Sequence, residues 1–188
     1  LAAAGHAPEV VDLDPGDPAG AIARARAAGA TWVAGGGRPD DDLALARAAA
    51  AAGLRCALVV CGVELAAREL GDAVAGWLGP AQWVPGGPPP PAPLPPGADY
   101  PAAQALAAGL VAEEAVTLAG GTRPDDLWRA ARELVTATFL GPFRVDARGR
   151  QVAHAPLVVR WEGRGPGLRR AVVWRPGPPE GASDTLGA

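Results

Sequence analysis

Over its first 84 residues the chain alternates short apolar runs with alanine-rich stretches, and this alternation limits its fold more than any other feature. Residues 9–13, 31–35 and 54–61 read as strands, with a shorter one at 81–84. Between them, 19–28, 40–52 and 64–70 are rich in helix formers and poor in breakers. The strand runs lack strict polar–apolar alternation, so both faces of their sheet are expected to be covered. Strands of this kind separated by helices build parallel β-α-β units with right-handed crossovers. The expected class is α/β.

Residues 85–99, PGGPPPPAPLPPGAD, interrupt the pattern. Proline removes backbone donors and holds φ near −65°, so the segment is neither helix nor central strand and reads as a stiff connector. Beyond it, 100–119 reads as a helix, although Glu114 falls within the arc of Ala107, Leu110 and Leu118. A second helix opens with Thr122 as cap and Pro124 in its first turn, while Asp125 and Asp126 suit the positive end of its dipole. Leu127, Ala131, Leu134, Val135 and Thr138 share one face, so this helix is expected to run to Phe139-Leu140-Gly141. A strand, a tight turn at Asp146-Ala147-Arg148-Gly149 and a returning strand follow as a C-terminal hairpin. The expected division is a lobe over 1–84, a linker over 85–99, a returning segment over 100–150, closing strands over 151–175 and a disordered tail over 176–188.

Composition removes several function classes. The 17 basic residues are all arginine and scattered, and the formal net charge is −3, so there is no basic stripe for nucleic acid. No run approaches the roughly 20 apolar residues that cross a bilayer, and no membrane span is expected. Cys56 and Cys61 are five residues apart on one strand, pointing to opposite faces with Cα atoms roughly 16 Å apart, too far for a disulfide. Neither they nor His6 and His154 have the spacing of a metal site, and no metal or cofactor is expected. A Gly-x-Ser-x-Gly elbow is missing and the one serine is Ser183, so no hydrolase is expected. The tryptophans at 32, 77, 83, 128, 161 and 174 are dispersed and read as core anchors or strand-face residues. The opening Leu1-Ala2-Ala3-Ala4-Gly5 reads as the last turn of a helix with a glycine cap, which implies further chain upstream.

In open α/β sheets, ligands sit beyond the carboxyl ends of the strands. Two such ends are legible. After 31–35 come Gly36, Gly37 and Arg38; glycines let backbone N–H groups approach a ligand, and a guanidinium pairs bidentately with a carboxylate. The competing reading is a strand-to-helix loop with a solvated arginine. After 54–61 come Gly62, Val63 and Glu64, where Glu64 also suits the first turn of the next helix.

Four stretches in order give the chain a family likeness: PGDPAGAIARARAAGATWVAGGG, DDLALARAAAAAGLRCALVVCGVE, ELGDAVAGWLGPAQWVPG, and the long run from Tyr100 to Gly163 with its Phe-x-Gly, strand and Asp-x-x-Gly turn. Together they resemble the later half of type I periplasmic binding proteins of the branched-chain amino acid class, which serve ABC importers. The resemblance implies a non-catalytic solute-binding protein outside the cytoplasm, whose two lobes close by a hinge. It implies a small polar ligand such as an amino acid and an ABC transporter permease as partners, with no cofactor. It places the final hairpin where the chain passes back between lobes for the last time, and it gives Glu64 the role of receiving a ligand ammonium. The first-lobe strands are missing, and a polyproline run replaces a helix with aromatic residues. Gly37 and Arg38 stand near the place where that family often carries an aromatic shelf against the ligand. A truncated or divergent member is therefore expected. A ligand-sensing receptor or regulator of the same fold is the alternative.

Overall fold

The computed structural model of the chain describes residues 16–58, 63–84, 88–95 and 98–175. The expected strand at 9–13 and the tail from 176 lie outside them. The described residues form five α-helices and seven strands. In chain order these are α1 Pro18–Ala27, β1 Trp32–Gly35, α2 Pro39–Ala51, β2 Arg55–Leu58, α3 Glu64–Leu70, β3 Leu78–Ala81, α4 Tyr100–Ala119 and α5 Pro124–Glu133. The strands β4 Thr136–Thr138, β5 Gly141–Phe143, β6 Leu157–Glu162 and β7 Arg169–Trp174 complete the set. The main sheet has the order β1-β2-β3-β6-β7, and β4 and β5 form a separate ribbon. β1 pairs with β2 and β2 with β3 in parallel, as the alternation requires. The α/β expectation holds.

The chain divides into two compact units, one running to Pro80 and including Arg160–Ala171, the other holding Ala81–Val159 and the chain from Val172. The polypeptide passes from one to the other within β3, β6 and β7.

The first unit is built around α2. Its Leu45, Ala46 and Ala49 are buried at helical spacing beside Cys56 and Leu58 of β2. Small side chains let the helix approach the sheet closely. A Cβ at Gly35 would lie 2.4 Å from Leu45 Cδ2. Trp77 is the largest fully buried side chain, 2% exposed, and the backbone on either side of it is fixed. The Gly76 N–H donates to the Trp161 carbonyl at 2.7 Å, and the Trp161 N–H donates to the Trp77 carbonyl at 3.0 Å.

This anchoring corrects the strand expected at 81–84. The strand is Leu78–Ala81, because burial of Trp77 fixes the register and brings Leu78 opposite Ala57. Trp83, whose β propensity suggested a strand, instead packs against the core of the second unit.

That second core centres on Ala103, Ala107 and Phe139. α4 begins at an Asp99 cap, whose side chain accepts the Ala102 N–H at 3.0 Å, and ends at Gly120 with φ +68°. Its buried positions are Ala103, Ala107 and Ala115, which leaves Glu114 on the exposed side and removes the conflict seen in the sequence. Leu94 of the proline-rich segment also packs on this core. By length and composition Pro101–Ala119 is long and apolar enough to cross a membrane, which corrects the expectation that no stretch is. Alanine, with scattered leucine and valine, supplies the hydropathy without a run of large apolar side chains, and both Glu113 and Glu114 fall inside it.

The helix expected to continue to residue 141 stops at Glu133. Leu134 is already extended, with ψ 123°, and Val135 is 76% exposed. The cause is the run Val135-Thr136-Ala137-Thr138, whose β-branched side chains favour extended backbone. Phe139 and Leu140 form a two-residue turn between β4 and β5, in which Thr138 pairs with Gly141 and Thr136 with Phe143. Within that turn the Leu140 N–H donates to Thr138 Oγ1 at 3.2 Å.

The turn at 146–149 forms as expected. The Gly149 N–H donates to the Asp146 carbonyl at 2.9 Å, and Asp146 Oδ1 accepts the N–H groups of Arg148 and Arg150 at 2.8 and 3.0 Å. These bonds, that from the Arg150 backbone foremost, hold the Asp146 carboxyl below its ordinary pKa. Gly149 has φ +77°, and a Cβ there would lie 2.5 Å from the Trp128 ring. Gly149→Ala is therefore expected to lower stability by about 1 kcal/mol or more, from left-handed strain alone. Urea unfolding should show the loss, and an unchanged midpoint would count against this packing.

Candidate functional site

β1 and β2 run parallel. Their register runs from Trp32 opposite Arg55 to Gly35 opposite Leu58, so the carboxyl ends of both strands point to one edge of the sheet. That edge is where parallel sheets present loops to ligands.

The loop after β1 is fixed by the first turn of α2. Asp42 is buried and its Oδ1 accepts the Gly37 N–H at 3.0 Å. Asp41 Oδ2 accepts the Arg38 N–H at 3.3 Å and lies 3.4 Å from Arg38 Nε. Two backbone donors near the helix start are thus answered from within the chain. A Cβ at Gly37 would lie 3.1 Å from the Asp41 Cβ, so glycine suits the close fold-back. Gly36 is exposed, and the Arg38 side chain is 83% exposed, projecting a guanidinium that lies 3.4 Å from Asp41.

The loop after β2, with Gly62, lies outside the described residues. The chain resumes at Val63, which is fully buried and has φ +72°. This left-handed conformation costs a β-branched residue roughly 1–2 kcal/mol, and the packing around it must hold it there. Glu64 follows as the first residue of α3 and is buried. Its Oε1 accepts a hydrogen bond from Arg170 Nη1 of β7, and each side chain of this ion pair is 10% exposed. Burial lowers the Arg170 pKa, and Glu64 supplies the opposing charge.

Sequence reasoning placed both loops at this edge but missed Arg170. No local signal identified it: the two partners are 106 residues apart. Asp42 is the last of three consecutive aspartates, and only burial separates it from the exposed Asp40.

Cys56 lies on β2, fully buried, with its thiol pushed up to about 12, first by burial and then by the negative charge of Asp42. Such a thiol is inert as a nucleophile. In a Cys61→Ser variant, Cys56 is expected to stay unmodified by a thiol reagent at pH 8 and to react fully in denaturant. Rapid native reaction would contradict its burial. Cys61 lies outside the described residues. His154 is half-buried beside Gly141, its pKa lowered by burial. Among the described residues no group of His, Cys, Asp or Glu could hold a metal ion.

Residues 2–166 match the family described as Periplasmic binding protein. No curated protein matches the chain. Among solved structures, a solute-binding protein of an ABC transporter from R. palustris in complex with 4-hydroxybenzoate is 16% identical, with a TM-score of 0.67 over 87% of this chain and 50% of that one. A second from R. palustris, in complex with benzoate, is 20% identical, with a TM-score of 0.62 over 87% and 48%. A leucine-binding protein from Thermotoga maritima is 17% identical, with a TM-score of 0.59 over 86% and 48%. The chain spans about half the length of these proteins. With the family matched over most of its residues and the parallel sheet and helices in place, the chain belongs to the type I periplasmic binding protein family.

Proposed function

We propose that the chain is a solute-binding part of an ABC importer, working outside the cytoplasm and presenting a small carboxylate-bearing metabolite to a permease. The observation that carries this reading is the parallel register of β1 and β2, which directs the carboxyl ends of both strands to one edge of the sheet, and in this reading Gly36, Gly37, Arg38, Gly62, Val63 and Glu64 line the ligand site there. Family membership supports a binding role in place of catalysis, and the inert Cys56 fits that role. Two of the structural relatives are in complex with benzoate and 4-hydroxybenzoate and the third is a leucine-binding protein, all three compounds being carboxylates, and Arg38 is an outward cation at this edge. In this reading the first unit acts as the second lobe of a binding protein, and 100–150 belongs to the returning part of the first.

Saturation-transfer NMR tests the proposal because it detects even millimolar binding. Signal is expected from at least one of benzoate, 4-hydroxybenzoate and leucine. A lost charge-assisted bond contributes about 1.5–3 kcal/mol, so Arg38→Ala should weaken the affinity at least tenfold. Arg129→Ala, on the exposed face of α5, should not change it. No transfer from any of the three, or an unchanged affinity in Arg38→Ala, would reject the site.

A further inference from the structure

The first unit is discontinuous in sequence. It takes the chain up to Pro80 and then Arg160–Ala171, with residues 81–159 made in between. β6 and β7 are neighbours in the sheet and are joined by residues 163–168, too few for a parallel crossover, so they form a hairpin. This hairpin supplies four separate contacts. Trp161 and Leu168 pack against the core cluster that holds Leu45, Val74 and Trp77. The Trp161 carbonyl accepts the Gly76 N–H at 2.7 Å, and its N–H donates to the Trp77 carbonyl at 3.0 Å, so the backbone is held on both sides of the largest buried side chain. The Gly165 N–H donates to Asp72 Oδ1 at 2.6 Å. Arg170 brings a guanidinium to the buried Glu64.

Without the hairpin, the elements from α1 to β3 would keep Trp77 and the start of α3 but lose the groups that enclose them. β3 is Leu78-Gly79-Pro80-Ala81, and glycine and proline are poor residues for a strand interior. Its neighbour on the far side from β2 is β6, so removing β6 turns β3 into an open edge. The conformational entropy of ordering α1 to β3 would then be set against fewer apolar contacts and a carboxylate without its guanidinium. We infer that the hairpin of β6 and β7 is a strap whose docking completes the first unit, so that the elements from α1 to β3 acquire stable structure only when it arrives. The two parts fold as one cooperative body although 81–159 separate them in sequence. For a polypeptide that crosses a membrane as an extended chain, this delay keeps the earlier residues threadable. That use rests on the location proposed above, whereas the folding order depends neither on location nor on a ligand.

Pulse-labelling hydrogen exchange during refolding of the whole chain tests the order. The amides of Ala49 in α2 and Arg55 in β2 are expected to become protected in the same kinetic phase as those of Gly76 and Trp161. Stable protection of Ala49 and Arg55 in an earlier phase, with Gly76 and Trp161 still open, would overturn the inference. Native-state exchange in Trp161→Ala gives a second reading. Protection at Ala49 and Arg55 is expected to fall together with that at Gly76, by about tenfold or more, because a cooperative body opens as a whole. A loss confined to Gly76 and the hairpin would show that α1 to β3 stand without the strap. Should that variant not fold, the refolding measurement on the unaltered chain decides the question.

Discussion

Trp77→Ala is expected to destabilise the chain by about 3–5 kcal/mol, the range for deleting a large buried aromatic side chain. Trp77 is the largest fully buried residue, and it lies within the cluster that includes Leu45, Ala49 and Val74. Many of its neighbours are alanines, whose side chains are too short to collapse into the space an indole leaves. Its carbonyl also accepts the Trp161 N–H, so the loss would loosen the approach of β6. Guanidinium unfolding followed by far-UV circular dichroism should show the midpoint falling sharply. A loss below 1 kcal/mol would mean that the first unit does not depend on this anchor.

Arg170→Met is expected to cost a similar amount, about 3–5 kcal/mol, because it takes the paired guanidinium away from the buried Glu64 carboxylate. The double variant Glu64→Gln, Arg170→Met should lose much less than the sum of the two single changes, since no charge is then stranded. Additive losses would show that the two groups are not coupled. The outcome bears on function as well as stability. A strongly coupled pair ties the start of α3, beside the second loop, to β7, within which the chain passes out of the first unit.

Local chemistry made much of this fold legible. α3 and α4 were read with their observed bounds, and Asp99 and Gly120 prove to be standard cap residues at the ends of α4. The start of α5 was legible from Pro124 and its two aspartates, but the cap position is Arg123, with no side-chain cap bond, and not Thr122 as expected. The end of α5 was not legible, because apolar spacing continued through Leu134 and Val135 while backbone preference had already changed to extended. β3 was displaced for a different reason: Gly79 and Pro80 are poor strand residues, and only burial of the neighbouring Trp77 holds the chain there. At the candidate site the strand ends pointed to two loops, the second of which lies largely outside the described residues. The pairing of Glu64 with Arg170 could not, since it depends on how β7 meets the rest of the sheet.

The central claim is that the loops leaving β1 and β2 bind a carboxylate ligand. Following backbone amide resonances during titration with 4-hydroxybenzoate tests it most directly. The expected result is a set of saturable shifts at Gly36, Gly37, Arg38, Val63 and Glu64, with Asp125–Glu133 of α5 unmoved. Shifts along α5 with the two loops silent would contradict it.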